Sequence, residues 1–153
     1  MPLWHSDWYS WLIYEISPAD FSVVRSALPP YYALRDTGGS RNVIYTCYEH
    51  DQLVLELSPV DFSLVREASS PGTNPSGMGG KETVIWHTDV DVDRVYELSV
   101  ADFSVVRSAP APDIVSHGIG GTPNVIWNSG MYNAKVFELS VADLSVVSFQ
   151  FSF

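Results

Sequence analysis

The chain has 153 residues, 46% hydrophobic, 13% aromatic and 17% charged, too aromatic for a disordered tail and long enough to bury a substantial core. Eighteen acidic against eight basic residues leave a net charge of −10, which opposes binding to a phosphate backbone, and no apolar run reaches the ~18 residues of a membrane span. The single cysteine, Cys47, excludes an intramolecular disulfide and a cysteine-rich zinc module.

Met1-Pro2-Leu3-Trp4 offers neither a basic segment nor a long apolar core, so no secretory leader is expected. Leu3-Trp4-His5 begins a short strand. The segment Ser17-Pro18-Ala19-Asp20-Phe21-Ser22 has the proline and aspartate of a tight turn. From there the chain repeats itself. Glu15, Glu56, Glu97 and Glu138 stand 41 residues apart, as do Asp20, Asp61, Asp102 and Asp143, and Val24, Val65, Val106 and Val147. Trp4, Tyr45, Trp86 and Trp127 form an aromatic column; Gly39, Gly80 and Gly121 form a glycine column. Residues 3–27 and 85–109 share 15 of 25 positions, with no insertion. Proline clusters at Pro29-Pro30, Pro71, and Pro110 with Pro112 punctuate the passage from one unit to the next.

Each unit reads as strands. Ser104–Ser108 is one; a glycine-rich strand spans Ser116 to Thr122, and β-branched and aromatic runs occupy Asn124–Trp127 and Lys135–Ser140. No 3.6-residue apolar stripe extends for ten residues, so almost no helix is expected. Four short antiparallel strands per ~40 residues is the signature of a propeller blade. The glycine column is expected at the crowded axis. Division by 41 gives about 3.7 blades, near 1–36, 37–77, 78–118 and 119–153. The chain enters at the second strand of a blade and stops at an outermost one, making fifteen strands with the first inner strand missing. The fold class expected is all-β, a single propeller domain. Its two terminal blade faces are apolar, and we expect a homodimer to cover them by closing an eight-bladed ring; the alternatives are a closed four-bladed ring with a defective first blade and a longer array of which these blades are part.

The unit Gly-Ile-Gly-Gly-x-x-Asn-Val-Ile-Trp, Val-Tyr-Glu-Leu-Ser and Asp-Phe-Ser-Val-Val-Arg-Ser resembles the blades of NHL-type and YncE-like β-propellers over nearly the whole chain. The Gly-His and Trp-Asp signature of WD40 blades is missing. The resemblance implies fold more than function, since propellers host many functions.

Candidate chemistry is sparse. Glu15 with Arg25, Glu56 with Arg66 and Glu97 with Arg107 share one spacing and are read as structural cross-strand pairs; Ser148 replaces the arginine opposite Glu138, which then needs another partner. Asp89, Asp91 and Asp93 resemble the start of a calcium loop, but Arg94 occupies the position that requires glycine, so they are read as an acidic hairpin tip. His5 and His87 alternate with Thr46 and Asn128 and are read as hydrogen-bonded strand residues, and Cys47 as a packed one. No nucleophile elbow, phosphate loop or zinc-binding His-Glu-x-x-His is present, and no cofactor is implied. What breaks the repeat is aromatic: Trp8, Tyr9 and Trp11 at the first hairpin tip, Tyr31-Tyr32, and the C-terminal Phe149, Phe151 and Phe153. The first two groups are expected to bind a protein or a glycan or else to cap the terminal face of the first blade, and the last to pack at a chain or blade seam. The reading is a non-enzymatic scaffold for binding and self-assembly; the alternatives are a channel hydrolase and a lectin-like protein.

Overall fold

The computed structural model describes residues 2–132 and 134–151. Ile44–Tyr48 and Val84–Asp89 are buried on both faces because each blade is covered from both sides. Blade 1 has three strands, β1 (Leu3–Asp7), β2 (Leu12–Ile16) and β3 (Val23–Ala27). Blade 2 has β4 (Leu34–Gly39), β5 (Ile44–Tyr48), β6 (Leu53–Leu57) and β7 (Leu64–Ser69); blade 3 has β8 (Pro75–Lys81), β9 (Val84–Asp89), β10 (Arg94–Leu98) and β11 (Val105–Pro110). Blade 4 has β12 (Ser116–Thr122), β13 (Val125–Gly130), β14 (Lys135–Leu139) and β15 (Val146–Phe151). All pairs are antiparallel neighbours in sequence, and the blades stand side by side around one axis, β4, β8 and β12 innermost. No helix occurs among the described residues, and none is long and apolar enough to cross a membrane.

The inner strands begin at Leu34, Pro75 and Ser116, the last where the sequence places its glycine-rich strand. Each carries a bulge, between Leu34 and Thr37, Pro75 and Gly77, Ser116 and Gly118, and the extra residue lengthens the strand toward the preceding connection. The side chain one strand out pins each bulge. Thr46 Oγ1 donates to Asp36 O (2.6 Å), His87 Nδ1 lies 2.9 Å from Gly77 O, and Asn128 Nδ2 donates to Gly118 O (3.0 Å).

The glycine columns divide the steric work differently from expectation. A Cβ on Gly39, Gly80 or Gly121 would strike the backbone of Val43-Ile44, Val84-Ile85 or Val125-Ile126 in its own hairpin, and Gly39 and Gly80 sit at φ of +154° and +144°. Crowding at the axis falls one residue earlier. A Cβ on Gly38 would lie 2.7 Å from Gly79 Cα, and one on Gly79 would lie 2.5 Å from Ile119 O and 2.9 Å from Gly120 Cα. Gly120 ends the series, with open space beyond it.

The core is three apolar clusters, one in each seam. Ile13, Leu34, Ile44, Leu55, Leu57 and Phe62 fill the seam of blades 1 and 2; Tyr45, Val54, Met78, Ile85, Leu98 and Phe103 that of blades 2 and 3; Trp86, Val95, Ile126, Leu139 and Leu144 that of blades 3 and 4. An arginine clips each seam at its rim. The register sets Glu15 opposite Arg25, Glu56 opposite Arg66 and Glu97 opposite Arg107, and each arginine Nε donates to its glutamate at 2.6 Å. The other guanidinium nitrogens cross to backbone carbonyls of the next blade: Arg25 to Pro59 and Val60, Arg66 to Val100 and Ala101, Arg107 to Val141 and Ala142. The clip shares its seam with the ring of the next turn, Arg25 lying 4.8 Å from the Phe62 centroid and Arg66 4.4 Å from that of Phe103. Glu138 has no arginine opposite; Ser148 Oγ donates to it at 2.9 Å.

Two outcomes follow. Gly79→Ala lowers the unfolding free energy by about 1–3 kcal/mol, whereas Gly120→Ala, with nothing within 4 Å of the added methyl, stays within about 0.5 kcal/mol of the parent; urea unfolding of both reads the contrast. Arg66→Met loses charge-assisted bonds to two blades and lowers stability by about 1.5–3 kcal/mol, and an unchanged melting temperature would show the clip to be idle.

Candidate functional site

One end of the propeller collects the tips of the β1–β2 and β5–β6 hairpins and the connection from β3 to β4. At the first tip Asp7 organises the turn, accepting from Tyr9 N (2.9 Å) and Ser10 Oγ (2.8 Å), bonds that lower its pKa. Trp11 adopts a left-handed φ of 59° and donates its N–H to Asp7 O at 2.9 Å. Pro29-Pro30 delivers Tyr31 and Tyr32 beside it.

These side chains converge. Trp11 and Tyr32 have ring centroids 5.7 Å apart; Tyr31 stacks on Tyr48 at 5.0 Å, and Tyr32 meets Tyr48 edge-on at 6.1 Å. His50 lies 5.7 Å from Tyr48 and 6.4 Å from Tyr32. Tyr31 Oη donates to Glu67 Oε2 at 2.5 Å, which raises the tyrosine pKa. Trp8 lies under the Arg35 guanidinium at 4.5 Å, and Arg35 Nε donates to Glu49 Oε2 at 2.5 Å. Trp8, Tyr9, Trp11 and Tyr32 remain exposed, while Tyr48 is buried beneath them. The structure thus gathers Trp11, Tyr31 and Tyr32 into a patch around Tyr48, while Trp8, from the same hairpin tip, lies on the Arg35–Glu49 pair and Tyr9 projects into solvent. Sequence reasoning missed Arg35, Tyr48 and His50. The signal for them was present: all three depart from the repeat, their equivalents being Ser76 and His117, Asp89, and Asp91 and Tyr132.

Beside the patch lies the mouth of the axis. Asp36, one residue beyond Arg35, accepts from Met78 N at 2.9 Å and from Thr37 N at 2.8 Å, and Ile119 N also bonds it. Its carboxylate therefore ties β4, β8 and β12 together. Removal from bulk water pushes its pKa up to about 6, against the pull of those N–H groups. His87 is buried with both ring nitrogens engaged, Nδ1 with Gly77 O and Nε2 with Ser70 Oγ (3.1 Å), and burial pushes its pKa down to about 4. Burial likewise pushes the Cys47 thiol up.

The other sequence candidates have local duties. Asp89 caps the third tip, accepting from Asn74 N, Asp91 N and Val92 N; Asp91 accepts from Thr73 Oγ1 and Asn74 Nδ2, and Asp93 from Val115 N. Among the described residues no three His, Cys, Asp or Glu side chains are grouped to hold a metal ion. Phe149 lies 6.2 Å from Phe137 within blade 4, with Lys135 4.7 Å from its ring. Phe153 and the side chain of Phe151 lie outside the described residues.

No family model and no curated protein sequence matches the chain. Solved structures do. The glutaminyl cyclase of Myxococcus xanthus superposes with a TM-score of 0.78 at 13% identity, over 95% of this chain and 64% of its own. The chain is a β-propeller. The WD40 repeats of RRP9 match at 0.69 and 12% identity, over 95% of this chain and 46% of theirs, and virginiamycin B lyase from Staphylococcus aureus at 0.66 and 14%, over 99% and 52%. The propeller therefore spans about half to just under two-thirds of these structures. They include enzymes as well as WD40 repeats, and at such identities the likeness is one of fold.

Asp36 and His87 oppose each other in acid. Between about pH 6.5 and 4 the unfolded chain binds a proton at His87 that the folded chain refuses, so acidification destabilises. From about pH 6 down to about pH 4 the folded chain binds a proton at Asp36 that the unfolded chain does not, so acidification stabilises. His87→Asn, which the Asn128 geometry accommodates, removes the first effect. Its stability relative to the parent rises by about 3 kcal/mol from pH 7 to pH 4 in urea titrations.

Proposed function

We propose that the chain is a non-enzymatic scaffold of NHL-like or YncE-like descent that takes a partner protein on the patch of Trp11 and Tyr32, with Trp8 beside it. The observation that carries this reading is the convergence: aromatic residues that break the repeat, and lie apart in sequence, meet at one end of the propeller with their rings exposed. Large aromatic side chains ringed by an arginine–carboxylate pair are the composition of protein-binding hot spots. The WD40 neighbour supports a scaffold role. The buried groups support it too, since His87 and Cys47 are enclosed in the frame.

A lectin-like reading shares the patch, because the same exposed ring faces can stack on sugars. It is separated by ligand class. A displayed peptide library and a glycan array are both screened with the propeller and with the Trp11→Ala, Tyr32→Ala double variant. The proposal expects peptide ligands whose affinity falls at least about thirtyfold in the double variant, with stability little changed because both rings are exposed. Ligands from the glycan array alone would support the lectin-like reading, and peptide ligands that bind both proteins equally would place recognition elsewhere.

A further inference from the structure

The three seams repeat one construction, and the chain carries one unused half of it at each end. In every seam an aromatic residue of one blade seats the apolar residue of the next blade's outer turn. Trp4 meets Phe62 edge-on at 5.9 Å, Tyr45 meets Phe103 at 6.3 Å, and Trp86 shares a core cluster with Leu144. The turn holds its residue in the left-handed region, φ 62° for Phe62, 63° for Phe103 and 64° for Leu144, so that the side chain reaches the neighbouring blade. Seated, these residues are 3%, 4% and 3% exposed, and the seats Tyr45 and Trp86 are 2% and 1% exposed.

The same step of 41 residues leads to Phe21 in blade 1 and Trp127 in blade 4. Phe21 has the same conformation, φ 57°, and the same turn, with Phe21 N donating to Ser17 O at 2.9 Å and Asp20 Oδ1 accepting from Ser22 N. Yet Phe21 is 75% exposed and Trp127 44%. A loaded turn stands at one end and an empty seat at the other. We propose that the two belong together: Phe21 of a second copy of this chain seats on Trp127, joining blade 4 of one chain to blade 1 of the next. The contact is head-to-tail, and two such joints close a cyclic pair.

This joint lacks two parts of the internal seams. Ser148 stands where Arg25, Arg66 and Arg107 clip the following blade, so the carbonyls of Pro18 and Ala19, equivalent to those the internal arginines bind, meet no guanidinium. Among the described residues blade 1 has no inner strand to lie against β12, and Gly120 faces open space. The joint between chains is therefore the separable one.

Sedimentation equilibrium over a wide concentration range tests this. The parent is expected to move between 17.0 kDa and twice that mass. Phe21→Asp is expected to hold it at the monomer mass with unchanged circular dichroism, because aspartate tolerates the left-handed conformation and position 21 is on the surface. Trp127→Glu does the same from the other side. Mixed together, these two variants retain one intact turn and one intact seat and recover a dimer, which neither forms alone. Ser148→Arg restores the clip and tightens association by about tenfold or more. A parent that is monomeric throughout, a Phe21→Asp chain that still dimerises, or a mixture that stays monomeric would each overturn the proposal.

Discussion

Everything in this propeller depends on how one blade is fastened to the next. A lone blade is a thin sheet with two apolar faces and cannot bury both. Each seam resolves this with an aromatic seat, an apolar residue delivered by a left-handed turn, and an arginine that is held by a glutamate of its own blade while bonding carbonyls of the next. The glutamate prevents the guanidinium from being left half-buried and unpaired, and the carbonyls give it a direction. Because the parts come from a fixed position in every repeat, the order of the blades is also the order of the joints.

Much of that frame is legible without coordinates. A period of 41 residues with no slip in register states that each unit meets the same surroundings, and alternation of short apolar runs with turn residues leads to four strands per unit. The spacing of Glu56 and Arg66 places them opposite each other by counting across a turn alone. The other half of the clip is not legible in this way. Carbonyl acceptors leave no mark in a sequence, so the reach of Arg66 to Val100 and Ala101 emerges only when blades are stacked. The glycines show the same limit. Their periodicity is plain, but whether a missing side chain spares the hairpin, as at Gly80, or the axis, as at Gly79, depends on the pleat.

The candidate site is legible for the complementary reason. Trp8, Trp11, Tyr31 and Tyr32 stand out because they break a pattern the rest of the chain keeps, and a frame built of near-copies can distinguish ligands only through its exceptions. Their gathering depends on a tertiary fact, that the first hairpin tip and the connection into blade 2 lie at the same end, next to the tip that carries Glu49 and His50. Tyr48 is half frame and half site: it belongs to β5, and its ring is the buried floor on which Tyr31 and Tyr32 rest. Asp36 has a similar double position, binding inner strands together at the axis beside the patch.

If stability resides in the seams, a blade held by two of them must open less readily than a blade held by one. Backbone hydrogen exchange, followed blade by blade in a chain kept monomeric by Phe21→Asp, measures this directly. The account predicts the slowest exchange in β5, β6, β9 and β10, which lie between two seams, and faster exchange in β1–β3 and β13–β15, which have one. Equal protection across all four blades, or the greatest protection in blade 1, would contradict it.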